Sequence, residues 1–186
     1  MKKTRLVVGL LATLLLFSAC LDSEKKSYIS DIERMDKKLD SLEHAYNALP
    51  NDSFKIIKKS AAALEKDVKT YFFEDTIDHE FARKMNRLRG IRKGSDHISL
   101  LRGFLDTIFT FQRAQLKTLK TDIDHGAGNR NEYKKFIESE SENITTISMS
   151  FKDYKLRFDA ARFDYYDIAD DIKNRILPLK EKALKK

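Results

Sequence analysis

From Tyr133 to Ile172 one row of residues steps forward by four and then three: Tyr133, Ile137, Glu140, Ile144, Ile147, Phe151, Tyr154, Phe158, Ala161, Tyr165, Ile168 and Ile172. Only Glu140 breaks its apolar character. A row with a mean spacing of about 3.5 residues stays on one face of an α-helix and keeps facing a partner helix. The spacing predicts a last helix capped by Asn131 and ended near Leu177 by Pro178. At about 1.5 Å per residue it is roughly 70 Å long. That exceeds one compact four-helix layer, so other helices must share its length. The expected fold is all-α: an elongated antiparallel bundle of four to five helices with one very long C-terminal helix.

The rest of the chain has the same character. Only two prolines and six glycines occur, and 35% of residues are charged, a composition that favours long helices over sheets. Tyr28, Ile32, Met35, Leu39, Leu42, Tyr46 and Leu49 form a heptad seam that predicts helix over 28–49, stopped by Pro50. Asn51, Asp52 and Ser53 offer N-cap oxygens. A second seam follows in Phe54, Ile57, Ala61, Leu64, Val68 and Tyr71. Glu74-Asp75-Thr76 reads as a kink or a new start, and Ile77, Phe81, Met85 and Leu88 resume the stripe to about Lys93. One helix or two over 52–93 is left open. Gly94-Ser95-Asp96 reads as a break and cap before a helix over 96–124, whose wide stripe suits more than one neighbour. His125-Gly126-Ala127-Gly128-Asn129-Arg130 reads as a loop.

The N-terminus carries an address. Lys2, Lys3 and Arg5 precede an apolar run from Leu6 to Phe17, then Ser18, Ala19 and Cys20, the only cysteine. A positive start, a short apolar stretch and small residues make an export signal. A membrane span needs about 20 apolar residues, so the run is too short for one. The segment closely resembles the lipobox of bacterial membrane lipoproteins, with Phe17 where leucine is usual. The resemblance implies cleavage between Ala19 and Cys20 and a diacylglyceryl thioether, with fatty acids such as palmitate, on Cys20. It divides the chain into a signal peptide (1–19), the lipidated cysteine with a polar tether (20–27), a helical bundle (28–178) and a basic tail that frays (179–186). Asp22 and Glu24, close behind the cysteine, are similar to the acids of surface-exposed Bacteroidota lipoproteins. The implied location is the bacterial cell envelope, periplasmic or surface-facing, with the membrane as partner through Cys20.

Removing Lys2, Lys3 and Arg5 with the signal leaves 33 bases against 29 acids, a net charge of +4. An exported, mildly basic protein is not expected to meet nucleic acid. Arg83, Lys84, Arg87, Arg89, Arg92, Lys93 and Arg102 are seven bases within twenty residues, opposed only by Asp96. The first six form a candidate surface for anionic lipid or a cell-wall polymer. Asp159, Asp164, Asp167, Asp170 and Asp171 crowd the last helix. The opposing reading is that the two stretches pair across helices.

No catalytic constellation stands out. A di-iron bundle needs paired Glu-x-x-His motifs, and the nearest match is Asp122-x-x-His125. Asp78-His79-Glu80 and Asp96-His97 place neighbours about 100° apart on a helix, so neither converges on an ion. No cofactor, metal or enzymatic activity is therefore expected. The expected function is a lipid-anchored, non-enzymatic envelope protein acting as a binding module or spacer, similar in general form to helical cell-wall-binding lipoproteins. The alternative is a periplasmic chaperone-like protein or carrier for hydrophobic cargo. Phe163 and Tyr166 lie off the seam and are candidates for an exposed contact. Heptads this long also suit pairing with a second chain, so self-association is a further expectation.

Overall fold

The computed structural model describes the backbone of residues 2–73 and 78–185, and the side chains of residues 23–73 and 78–185. The side chain of Cys20 and residues Glu74, Asp75, Thr76, Ile77 and Lys186 lie outside the described ones. Among the described residues four α-helices form: α1 (Lys2–Asn47), α2 (Asn51–Tyr71), α3 (His79–His125) and α4 (Tyr133–Leu184). A 3-10 turn at Arg130–Glu132 precedes α4. No strand occurs among the described residues. The fold is an all-α bundle with a 52-residue C-terminal helix.

The chain divides into two compact units. The first takes Met1–Glu43 and Thr107–Ser148, so it combines α1 with the C-terminal part of α3 and the N-terminal part of α4. Its core joins Ile32, Met35 and Leu39 to Phe109, Leu116 and Ile123, and to Ile137, Ile144 and Ile147. The second takes His44–Asp106 and Met149–Lys186. There α2, the N-terminal part of α3 and the C-terminal part of α4 bury Phe54, Ile57, Leu64, Leu88, Ile98, Leu105, Tyr154 and Phe158. Aromatic rings concentrate in this second core. Tyr154 and Phe158 stack at 5.8 Å, Phe54 meets Phe158 at 6.1 Å, and Tyr46 meets Tyr154 at 5.6 Å.

The helix boundaries correct several sequence expectations. Gly94-Ser95-Asp96 does not interrupt α3. The seam is continuous there, because Phe81, Leu88, Ser95, Arg102, Phe109, Leu116 and Ile123 are spaced by seven. Ser95 is buried, and its hydroxyl donates to the Arg92 carbonyl at 2.7 Å. A glycine inside a helix costs about 1 kcal/mol, and burial of Ile91 and Ile98 on either side of Gly94 offsets it. Pro178 does not end α4, which runs to Leu184. The expected fraying tail is instead helical to that residue. Lys180 pairs with Asp67 at 3.0 Å and lies 5.7 Å from the Tyr71 ring centre, which holds the turn after the proline. Ser23–Ser27, read as a tether, are helical, and the Lys25 ammonium sits 2.9 Å from the Asp124 carboxylate. Residues 52–93 fall in two helices, with Asp78 capping the second: its carboxylate accepts the Phe81 N–H at 2.9 Å.

The α3–α4 connection explains itself. Ala127 N–H donates to the Asp122 carbonyl at 2.8 Å and Gly126 N–H to the Ile123 carbonyl at 3.2 Å, a Schellman closure. That closure places its central residue in the left-handed region, and Gly126 takes it with φ 65°. Asn129, rather than Asn131, supplies the cap oxygen, which accepts the Asn131 N–H at 3.2 Å.

Candidate functional site

The six bases expected to face an anionic ligand all lie on α3 in the second unit. Four of them have partners. Lys84 lies 2.7 Å from Asp171 of α4 and 2.9 Å from Glu80. Arg87 forks onto α4, at 2.7 Å from Asp164 and 2.6 Å from Asp167. Arg92 reaches Glu65 of α2 at 2.6 Å, and Arg89 approaches the same carboxylate at 3.9 Å. Hydrogen bonds donated to Asp171 and Asp164 respectively are the main reason the Lys84 and Arg87 side chains hold their protons more tightly than usual. Arg102, the seventh base of the run, donates to the Asn51 carbonyl at 2.8 Å and lies 3.2 Å from Asp52. Arg83 and Lys93 are exposed and make no ion pair with the described residues. The basic stretch thus splits into cross-helix pairs and two outward cations. Partly exposed pairs of this kind contribute about 0–1 kcal/mol each, so their value lies in orienting α3 against α4 and α2.

Glu65 is the one buried carboxylate among the described residues, 3% exposed, on the core side of α2. Its Oε1 faces the Lys69 ammonium at 2.9 Å without an aligned hydrogen bond, while Oε2 accepts from Arg92. The close charge contact outweighs the poor alignment. Lys69 first, and then Arg92, hold this carboxyl below the usual carboxylate range, against burial, which pushes it up. The Phe81 N–H does the same for Asp78, and the Lys25 ammonium for Asp124. Each carboxyl therefore titrates lower in the folded chain than in the unfolded one. Their stabilisation is complete above the unfolded values, near pH 4, and is lost as pH falls through the folded values. A melting series from pH 7 to pH 2 is expected to hold level to about pH 5 and then to fall steadily. A flat profile would contradict these pairings.

Polar groups also occupy two core positions of the seams. In the first unit the Gln112 amide, 2% exposed, donates to the Glu140 carboxylate. Asn143 reaches the same oxygen at 3.2 Å. In the second unit the Tyr154 hydroxyl donates to the Asn51 side chain at 2.7 Å, and the Asn51 amide donates to the Tyr46 carbonyl at 3.1 Å. The Tyr46 hydroxyl donates to Asp106. Burial pushes the Tyr154 phenol up to about 12 and raises Tyr46 as well. Both phenols stay neutral donors at physiological pH, and with Asp106 of α3 the network ties all four helices together within the second unit.

Two of the four histidines have individual partners. His97 meets Asp153 at 3.1 Å, and His125 Nδ1 lies 2.9 Å from the Thr121 carbonyl. No group of three or more potential metal ligands forms among the described residues. Nor is any helix, among the described residues, long and apolar enough to cross a membrane. A cleft of about 280 Å³ opens beside the α3–α4 loop, lined by Lys25, Tyr28, Asp124, His125, Arg130 and Tyr133. Its lysine is tied to Asp124.

Phe163 and Tyr166 are strongly exposed, as their off-seam positions predict. They have company that the sequence reading missed. Met149, Leu156, Leu177 and Leu184 are exposed too, and with Phe163 they fall on one seven-residue repeat along α4 that only Asp170 interrupts. The signal was present as a second heptad row, hidden by the attention the first one attracts. Comparison of the chain with protein-family models, curated proteins and solved structures finds no match.

Proposed function

We propose that this chain is a lipid-anchored, non-enzymatic helical protein of the bacterial envelope that acts as a spacer and binding module. The anchor is Cys20, and the reading of its attachment rests on Lys2, Lys3, Arg5, the apolar run and Ser18-Ala19-Cys20. The observation that carries the spacer reading is the closure of the second unit. Its seam aromatics are buried, and Arg87 is spent bridging Asp164 and Asp167. A surface so committed holds helices together, which leaves binding to groups that point outward. On the basic stretch those groups are Arg83 and Lys93.

Binding of the purified chain to isolated envelope fractions and to anionic vesicles, at low and high salt, tests this division of labour. Arg83→Ala with Lys93→Ala is expected to weaken salt-sensitive binding several-fold with no change in melting temperature. Arg87→Ala is expected to leave binding intact and to lower stability by no more than about 1 kcal/mol. Loss of binding with Arg87→Ala alone, and none with the outward pair, would reverse the assignment.

A further inference from the structure

The cleft beside the α3–α4 loop lies wholly in the first unit, where α1, the end of α3 and the start of α4 meet. Bonds of its own hold its frame. Lys25 closes α1 onto α3, with its ammonium 2.9 Å from the Asp124 carboxylate and 2.7 Å from the Asp124 carbonyl. The Tyr133 hydroxyl fixes the loop, reaching the Ala127 carbonyl at 2.6 Å and the Asp122 carbonyl at 3.2 Å. Lys25 and Asp124 therefore cancel, and the Tyr133 proton is already committed.

Two lining groups of opposite charge are left over: Glu24 on the α1 side and Arg130 on the loop side. Arg130 is oriented from behind. Its Nε donates to the Gly126 carbonyl at 3.2 Å, and its guanidinium lies against the open face of Gly126, where a Cβ would collide with a terminal nitrogen. Those terminal nitrogens and the Glu24 carboxylate make no hydrogen bond or ion pair with the described residues. Tyr28, one turn after Glu24 on the same face of α1, lines the cleft together with the buried Ile123 and Tyr133. An aromatic face attracts an ammonium group. A free cation, a free anion and an aromatic lining complement a small zwitterion better than a simple anion, which Glu24 would repel.

Cys20 stands four residues before Glu24 on the same helix, about 6 Å along its axis. A cysteine acylated there sits at the membrane surface, which brings the cleft to the level of lipid head groups. We infer that the cleft takes the head group of a zwitterionic phospholipid, with the phosphate on Arg130 and the ammonium between Glu24 and the Tyr28 ring. The choice of a lipid over a free zwitterion rests on the lipid-anchor reading; the charge pattern of the cleft does not. Such recognition differs from salt-sensitive contact at Arg83 and Lys93, which needs only an anion.

Native mass spectrometry of the full-length Cys20→Ser chain tests this, in non-ionic detergent micelles doped equally with phosphatidylethanolamine and phosphatidylglycerol. Cys20→Ser removes the acylation site, so the result does not depend on the anchor. The chain is expected to retain phosphatidylethanolamine about fivefold or more over phosphatidylglycerol. Arg130→Gln and Glu24→Gln are each expected to lower that retention about tenfold. Lys134→Ala with Lys135→Ala, exposed cations that do not line the cleft, is expected to leave it unchanged. Circular dichroism melts should stay level throughout, since all four side chains are exposed. Equal retention of the two lipids, or loss with the Lys134 and Lys135 changes, would reduce the contact to unspecific charge and overturn the inference. Displacement of the lipid by free glycine, a zwitterion without a phosphate, would overturn the lipid assignment. No retained lipid would overturn the head-group site while an acyl group on the native chain could still stand, so the two readings fail separately.

Discussion

Phe158→Ala is expected to destabilise the second unit by about 3–5 kcal/mol. Phe158 is 0% exposed, and it packs between the Phe54 ring at 6.1 Å and the Tyr154 ring at 5.8 Å. Truncation removes both ring contacts and opens a cavity in a core whose neighbours are also aromatic. Large rings on fixed helices cannot collapse into the space, so the loss sits at the upper end for such changes. Chemical denaturation measures it. Equal change in the first unit is not expected, because Phe158 and the rings it packs on, Phe54 and Tyr154, all lie in the second unit. Amide exchange would show the protection loss concentrated in α2 and in the parts of α3 and α4 that pack against it. A loss under about 1 kcal/mol would mean that this core is not packed as described.

The second large effect concerns Gln112 and Glu140, where the α3 and α4 seams each carry a polar residue and the two meet. Gln112→Leu is expected to lower stability by about 1–3 kcal/mol, because it leaves the inward Glu140 carboxylate without its buried donor. Glu140→Leu strands the Gln112 amide for a similar loss. The double variant removes both groups and is expected to recover most of the stability, since a paired polar contact in a core is often replaceable by apolar packing. The double-mutant cycle separates this coupling from two independent penalties. What the double variant should lose is registration: α4 could then slide by a heptad against α3 with no polar mismatch. Additive single losses would show that the two residues do not act as a pair.

Much of this fold could be read from spacing. The α1, α2 and α4 seams place their buried residues where the four-three steps say, from Ile32 to Leu39, Phe54 to Val68 and Ile137 to Ile172. The failures have one physical origin. Breaks were inferred where residue type was unfavourable, although heptad phase was preserved. Ser95 sits on the α3 seam between Leu88 and Arg102, and a small buried hydroxyl that bonds its own turn costs the helix little. Pro178 reads as a stop from its own chemistry, yet Lys180 finds Asp67 and Tyr71 two residues later. Tertiary pairing decided both cases, and no local pattern announces it.

The basic stretch shows the same limit. Composition finds seven cations in twenty residues but cannot say which of them meet the aspartates of α4. Spacing alone does suggest it, since Lys84 and Arg87 on one side, and Asp164, Asp167 and Asp171 on the other, are spaced by three and four. The outer row of α4 was equally legible by counting sevens from Met149. Glu65 was not: it adjoins the α2 seam beside Leu64, and of its three cations only Lys69 is a turn away, while Arg89 and Arg92 come from α3.

The central claim, a chain held to a bacterial membrane by its first mature residue, is tested most directly by intact mass analysis of the protein recovered from a bacterial envelope. The account predicts that residues 1–19 are absent and that the chain starts at Cys20, carrying the added mass of a diacylglyceryl group. The Cys20→Ala variant should keep its signal and lose the acyl mass. A chain that keeps Met1, or one cut elsewhere with a free Cys20 thiol, would contradict it.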